Sequence, residues 1–77
     1  MHYKMKATIT TFKQSGKWYD TFFTDVPDYL HVFDKHEIEE WLIANVSQCK
    51  NMNFIYTIDH VPQLCINPRA SKSIIYS

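Results

Sequence analysis

Glycine is almost absent from this chain of 77 residues, since Gly16 is the only one. So isolated a glycine marks one position that needs positive φ, a conformation that other residues rarely adopt. Long apolar runs are missing too, and none approaches the roughly 18–20 residues of a membrane span. Residues 1–4 lead into an alternating segment rather than the apolar core of a signal peptide. We therefore expect no membrane contact and no secretion.

An excess of charge of either sign is also lacking, because eight Lys and Arg balance eight Asp and Glu. A general nucleic-acid binder needs a basic surface, so the overall composition disfavours that class and leaves only a local patch open. Cysteine is scarce as well: Cys49 and Cys65 are too few for the disulfide framework of a small secreted domain. These features predict a cytoplasmic protein with two reduced thiols.

Aromatic residues, by contrast, are plentiful, with two Trp, five Tyr and five Phe. The chain is long enough for one core and too short for two, so we expect a single α+β domain over residues 1–68 and a polar, basic tail over residues 69–77. A core of this size supplies only about 3–5 kcal/mol, and self-association is a second source of stability. A homodimer is therefore one of the oligomeric states that the sequence allows.

A β-hairpin is the first predicted element. Residues 3–12 alternate between apolar and polar side chains, which is typical of a half-buried strand. A turn around Gly16 follows, and residues 18–24 form the second strand. Pro27 is expected to end that strand, because proline cannot continue a central ladder.

The register of this hairpin is left open by the sequence. A two-residue loop at Ser15-Gly16 would pair Ile9 with Phe22, whereas a three-residue loop ending in a glycine bulge would pair Ala7 with Phe23. A slip of one residue exchanges the faces of the strand. Both strands carry aromatic residues, so some of them must lie on the side away from the helix.

A helix over residues 35–47 is the sharpest local prediction. Asp34 is a favourable N-cap with Glu37 three residues later, and Phe33 before the cap can contact Ile38 as a hydrophobic staple. One apolar stripe follows at helical spacing. It consists of Ile38, Trp41, Leu42 and Val46.

The remaining pattern completes a small sheet. Residues 53–61 read as a third strand, Pro62-Gln63 as a turn, and residues 64–66 as a short fourth strand. The predicted order is ββαβ(β). It corresponds to an antiparallel-rich sheet of three to four strands with one helix packed on one face.

Catalytic and metal-binding patterns are weak. His36 and Glu40 stand four residues apart on one helix face and could contact a shared metal ion. A favourable side-chain contact on the helix surface explains the same spacing. Cys65 lies five residues after His60, and a small Cys/His enzyme is the third functional hypothesis. Cysteine in small domains is more often a buried apolar residue. We therefore expect no enzyme activity, no cofactor and no metal site.

The candidate binding surface is the hairpin end, where Phe12, Lys13, Lys17, Trp18 and Tyr19 cluster around the turn. Trp and Tyr form hot spots in protein interfaces. Interleaved lysines and aromatics also suit single-stranded nucleic acid, the alternative hypothesis. A third explanation is purely structural: the aromatic residues pair across the two strands, and the lysines protect an edge of the sheet from pairing with other chains. Because one helix cannot cover this many aromatics, we favour a protein interface.

Two segments of the chain carry a resemblance. Residues 7–19, ATITTFKQSGKWY, together with Val61-Pro62-Gln63-Leu64, resemble small uncharacterised proteins encoded by phages and prophages of Gram-positive bacteria. The resemblance implies no activity for any residue. It implies that the chain acts in the host cytoplasm by binding a host protein, and the host partner of short phage proteins is sometimes a defence nuclease.

Overall fold

The computed structural model describes residues 4–32 and 34–67 and shows an antiparallel sheet with one helix packed against it. In spatial order the strands are β2 (Trp18–Pro27), β1 (Lys4–Phe12), β3 (Asn53–Ile58) and β4 (Val61–Cys65). This confirms the predicted α+β fold. Tyr3, the proposed staple residue Phe33 and the expected tail lie outside the described residues. The elements are β1 (Lys4–Phe12), β2 (Trp18–Pro27), a 3-10 turn (Asp28–Val32), α1 (Lys35–Asn45), a second 3-10 turn (Ser47–Lys50), β3 (Asn53–Ile58) and β4 (Val61–Cys65).

Burial alternates strictly along the central strand β1. Ala7, Ile9 and Thr11 are fully buried, whereas Lys6 is exposed. Successive side chains of a strand point to opposite faces, so the buried set marks the side that α1 covers. The apolar core on that side consists of Ala7, Ile9, Val26, Leu30, Leu42, Val46, Cys49, Phe54, Tyr56 and Cys65.

The helix begins as predicted and ends two residues early. The Asp34 carboxylate accepts a hydrogen bond of 3.0 Å from the Glu37 amide, which confirms the N-cap. Val46 leaves the helical conformation with φ −107° and ψ 116°, and its side chain is buried in the core. Core packing of Val46 therefore takes precedence over one more helical turn, and the chain continues as a 3-10 turn.

The hairpin combines the two registers that the sequence left open. The Gly16 amide donates to the Lys13 carbonyl and the Lys13 amide to the Lys17 carbonyl, both at 2.8 Å, around Gly16 at φ +90°. That is the three-residue loop ending in a glycine bulge. The strands nevertheless pair Ile9 with Phe22, as the two-residue loop would require.

A β-bulge reconciles the loop with the register. Thr11 pairs with Asp20 but Phe12 pairs with Trp18, so Tyr19 is the extra residue in β2. The bulge also decides the direction of Trp18. Simple alternation from Asp20 would place Trp18 on the covered side of the sheet, whereas the extra residue places it beside Phe12 on the other side.

Strand β2 is longer than predicted. It runs to Pro27, which pairs with Lys4, rather than ending near Thr24. Since β2 is an edge strand, the amide that proline lacks can face away from β1 without costing a ladder hydrogen bond. The expectation that Pro27 ends the strand earlier assumed a central strand.

The turn between β3 and β4 was predicted in the wrong place. It lies at Asp59-His60, with φ values of 55° and 65°, and not at Pro62-Gln63. Ile58 pairs with Val61 across these two residues, as in a type I′ hairpin. Pro62 lies within edge strand β4, which runs from Val61 to Cys65 rather than from residue 64 to 66. The error arose because the turn contains no glycine.

A buried amide holds the end of β4 against the second 3-10 turn. Asn67 is fully buried, and its side-chain amide donates to the carbonyls of Cys49 at 2.6 Å and Met52 at 3.1 Å. Its backbone amide donates to the Asn53 side chain at 2.8 Å. Buried carbonyls are costly to leave unpaired. The sequence analysis placed Asn67 just beyond the fourth predicted strand and missed this role.

Replacing Asn67 by Ala should lower the free energy of unfolding by roughly 1–3 kcal/mol, because buried carbonyls lose their donor. Urea denaturation measures the change. Asn67→Asp is the matched control: it keeps the shape but cannot donate, and should be at least as damaging. Unchanged stability in both variants would contradict the role assigned to this amide.

Gly16→Ala should destabilise the hairpin by about 1–2 kcal/mol, because an L-residue is strained at positive φ. No neighbouring atom lies within 4 Å of the position a Cβ would take, so the cost is conformational rather than steric. Gly16→Asn should cost less, since asparagine tolerates this region. Thermal unfolding of the three proteins checks this order.

Candidate functional site

The side of the sheet opposite α1 carries the candidate site, and we call it the open face. Its members follow from the buried residues of β1 by alternation and from the pairing of the strands. They are Lys6, Thr8, Thr10, Phe12, Trp18, Thr21, Phe23, Asp25, Ile55, Thr57, Pro62 and Leu64.

Large apolar side chains on the open face are in contact with solvent. Trp18 is 61% exposed, Phe23 69% and Leu64 51%. Ile66, just beyond β4, is 63% exposed. Trp18 and Phe23 lie on β2 and Leu64 on β4, the two outer strands of the sheet. Several large apolar side chains exposed on one side of a small domain favour an interaction site.

The centre of the open face is lined by threonine. Thr10 and Thr21 face each other with their hydroxyl oxygens 3.3 Å apart, and Thr8 pairs with Thr57 across β1 and β3. The Trp18 indole N–H donates to the Thr21 hydroxyl at 2.8 Å. This hydrogen bond orients the indole, so Trp18 is presented in a defined position although most of its surface is exposed.

Charge is separated across the molecule even though the net charge is zero. The first 19 residues contain four lysines and no acidic residue. Among them, Lys6 lies on the open face with its Nζ 5.9 Å from the centre of the Phe23 ring, and Lys13 and Lys17 are exposed at the hairpin loop. The acidic residues Glu37, Glu39 and Glu40 belong to α1, on the other side of the sheet. Lysines therefore border the open face at the hairpin end, whereas Lys6 stands opposite Asp25 at the other end.

The predicted site residues fall into two neighbouring groups. Phe12 and Trp18 pair on the open face, with Lys13 and Lys17 at the loop beyond them. Tyr19, the bulge residue, is 47% exposed. It lines an open groove of about 450 Å³ with Phe12, Lys13, Gln14, Ser15, Asn51 and Met52.

Two of the exposed large apolar residues of the open face, Phe23 and Leu64, were not among the predicted site residues. Phe23 could be placed only once the register of β1 and β2 was known. Leu64 was missed because the β3–β4 turn was misplaced, although its alternation with Cys65 was a usable signal.

The proposed Cys65–His60 pair is not assembled. Cys65 is buried at the end of β4 opposite Phe54, while His60 is exposed in the turn before this strand. Five residues of extended chain separate them by about 16 Å along the strand. Burial raises the pKa of Cys65 to about 12, with the nearby Glu39 carboxylate adding to the effect, so the thiol is protonated at neutral pH.

The other ionisable groups of the core are held neutral as well. Burial raises the pKa of Cys49 to about 12, with a smaller contribution from Cys65. Burial also raises the pKa of Tyr56, whose hydroxyl donates to Glu39 at 2.9 Å. Lys35 pairs with the same carboxylate and donates to the Leu64 carbonyl at 3.1 Å. Glu39 thus ties α1 to β3 and β4.

Metal ligands do not converge in the part of the chain that the structure describes. The His36 Nε2 lies 3.1 Å from Glu40 Oε1 on an exposed helix face. No three His, Cys, Asp or Glu side chains among residues 4–32 and 34–67 are grouped as an ion site would need. Over the same residues, no helix has both the length and the apolar character that crossing a membrane demands.

Alkaline pH should destabilise the protein through the two buried thiols. Their pKa rises from an ordinary 9.0 in the unfolded chain to about 12 in the fold, so the native state binds more protons between these values. The free energy of unfolding should therefore be constant below about pH 8 and fall as the pH rises from 9 to 12. Urea titrations across this range measure it.

Cys49→Ala should reduce the slope of that decline, and Tyr56→Phe provides a second comparison because Tyr56 titrates in the same direction. A thiol reagent should react with the native protein at pH 7 only as fast as it opens. Stability that stays level to pH 11 would contradict this account.

The open face thus combines exposed apolar side chains on the outer strands, a threonine centre and lysines at the hairpin end. Comparison with models of known protein families, with curated proteins and with solved structures finds no match to this chain.

Proposed function

We propose that this protein is a small non-catalytic domain that binds another protein through the open face. The observation that carries the proposal is the exposure of Trp18, Phe23 and Leu64 on one side of a sheet whose other side is packed on α1. Exposing apolar area costs free energy in water. A partner that covers these side chains recovers that free energy, which is the driving force for binding.

Trp18 is the expected anchor of the interface. Tryptophan is among the residues that contribute most to binding when it enters a pocket on the partner. Its indole is already oriented by the hydrogen bond to Thr21, so little side-chain entropy is lost on binding. The threonine hydroxyls beside it provide donors and acceptors for polar contacts.

The charges around the open face define the partner's chemistry. Lys13 and Lys17 favour a partner that is acidic where it meets the hairpin end, since complementary charge speeds association and selects partners. A host protein in the cytoplasm is the class that the resemblance to phage-encoded proteins implies. The proposal places the chain there as a binding protein without cofactor or metal.

Capture from an extract of the native host tests the proposal. Wild-type protein should retain a partner that Trp18→Ala fails to retain, because the anchor is lost. With the purified partner, Trp18→Ala should weaken binding by about tenfold or more, as expected for a hot-spot tryptophan. Calorimetric titration measures the affinity.

Tyr29→Ala is the matched control, because Tyr29 is 54% exposed but belongs to the 3-10 turn between β2 and α1. It should bind as wild type does. Equal retention of the partner by wild type, Trp18→Ala and Phe23→Ala would refute binding through the open face.

Single-stranded nucleic acid is the second candidate, favoured by the exposed lysines beside Phe12 and Trp18 at the hairpin end. Bases stack on aromatic rings while lysines neutralise phosphates. This reading predicts binding to a labelled oligonucleotide that weakens steeply with salt and drops on Lys13→Ala or Lys17→Ala. Binding to a protein partner that is lost in Trp18→Ala, with no binding to the oligonucleotide, would favour the first proposal.

A further inference from the structure

Among residues 4–32 and 34–67, no strand pairs with the outer edge of β2, and this edge is a second candidate surface, distinct from the open face. The sheet has two edges, β2 and β4. Edge β4 has five residues and contains Pro62, a residue that disfavours further pairing. Edge β2 has ten residues. An exposed edge strand offers unpaired N–H and C=O groups to another chain.

The direction of the β2 backbone groups follows from one hydrogen bond. The Thr21 amide donates to its neighbour Asp20 at 2.8 Å, so it is not directed at β1. Along an antiparallel strand, the backbone N–H and C=O groups of one residue bond to the neighbouring strand, and those of the next residue point away from it. Phe23 and Asp25 therefore also direct their backbone groups outward.

The free stretch of this edge is short and has defined ends. The bulge at Tyr19 interrupts pairing on one side, and Pro27, which lacks an N–H, ends it on the other. Between them, Thr21, Phe23 and Asp25 supply the outward groups. Phe23 is at the centre and is 69% exposed.

We propose that two copies of this chain pair antiparallel along β2, about a two-fold axis at Phe23, to form one eight-stranded sheet. In this register Phe23 pairs with the second copy's Phe23, and Thr21 pairs with the second copy's Asp25. The two Phe23 residues then exchange two backbone hydrogen bonds, and each Thr21 carbonyl accepts one from the Asp25 amide of the second copy, which gives about four. The Thr21 amide adds none, because it already donates to Asp20. A shift in either direction would bring in the bulge at Tyr19 or the missing amide of Pro27.

The side chains are compatible with this symmetric pairing. The two Phe23 rings meet at the axis on the open face, where each is now exposed. Asp25 faces a threonine of the second copy and pairs with Lys6 in its own chain, so no like charges meet across the strands. A two-fold interface uses the same patch twice, and this stretch is complementary to itself.

A second copy is a better occupant of this edge than an unrelated peptide for two reasons. Its own β2 has the length and the ends that this register requires, and a domain with so small a core gains stability from self-association. The open faces of the two copies would form one continuous surface. The pairing does not rest on the proposed partner binding, since it is measured on the purified protein alone.

Sedimentation equilibrium of the pure protein, from micromolar to near-millimolar concentration, tests the pairing. Wild type should form a concentration-dependent dimer. Phe23→Lys should raise the dissociation constant by about tenfold or more, because it places like charges opposite each other at the axis. Thr8→Lys adds the same charge on the neighbouring strand β1 and should leave the dimer largely intact.

The pair of lysine variants separates the two ways of dimerising. Loss of the dimer in both would indicate face-to-face packing of the open faces and overturn the edge pairing. A wild-type protein that stays monomeric throughout would also overturn it. Circular dichroism confirms that each variant is folded, which is expected because neither position is buried.

A disulfide trap tests the register directly. Residues in a hydrogen-bonded antiparallel pair have Cα atoms about 5.5 Å apart, within the range of a disulfide. Phe23→Cys should therefore form a covalent dimer under mild oxidation, whereas Thr8→Cys should not. The native Cys49 and Cys65 are buried and do not compete. Equal cross-linking of both variants, or of neither, would contradict the register.

Discussion

One helix packed on one side of four strands is the constraint on which this molecule depends. The 11 residues of α1 extend only about 16 Å and can cover a single face of the sheet. Burial of Ala7, Ile9 and Thr11 beneath that helix sets the direction of every other side chain in β1. Through the strand pairing it also sets the direction of the side chains in the neighbouring strands.

The bulge at Tyr19 modifies that rule at one point and thereby creates the candidate site. It lets Asp20 remain on the covered side, where its carboxylate accepts from Gln48 at 2.9 Å, while Trp18 emerges beside Phe12 on the open face. The same irregularity shortens the free stretch of the β2 edge. The extra residue Tyr19 therefore affects three features: the exposure of Trp18, the contact between Asp20 and Gln48, and the length of the β2 edge that can pair with a second copy.

Buried polar groups complete the covered side because apolar contacts alone are few in a domain of this size. Thr11 donates to Gln48 at 2.9 Å, and Asn67 donates to two carbonyls near Cys49. Within the described residues, no buried side-chain nitrogen or oxygen lacks a hydrogen-bond partner. Such groups hold the 3-10 turn after α1 in a defined position against the covered side of the sheet.

The sequence by itself determined the fold class, the hairpin, the cap at Asp34 and the apolar stripe of α1, because these depend on local periodicity and on residues with strong conformational preferences. It also identified the aromatic and lysine cluster at the hairpin. Only the tertiary structure decided the register, the bulge, the turn at Asp59-His60 and the burial of Asn67. Each of these depends on pairing or packing between distant segments, which no local pattern encodes. The register and the bulge together decide which side of the sheet Trp18 occupies.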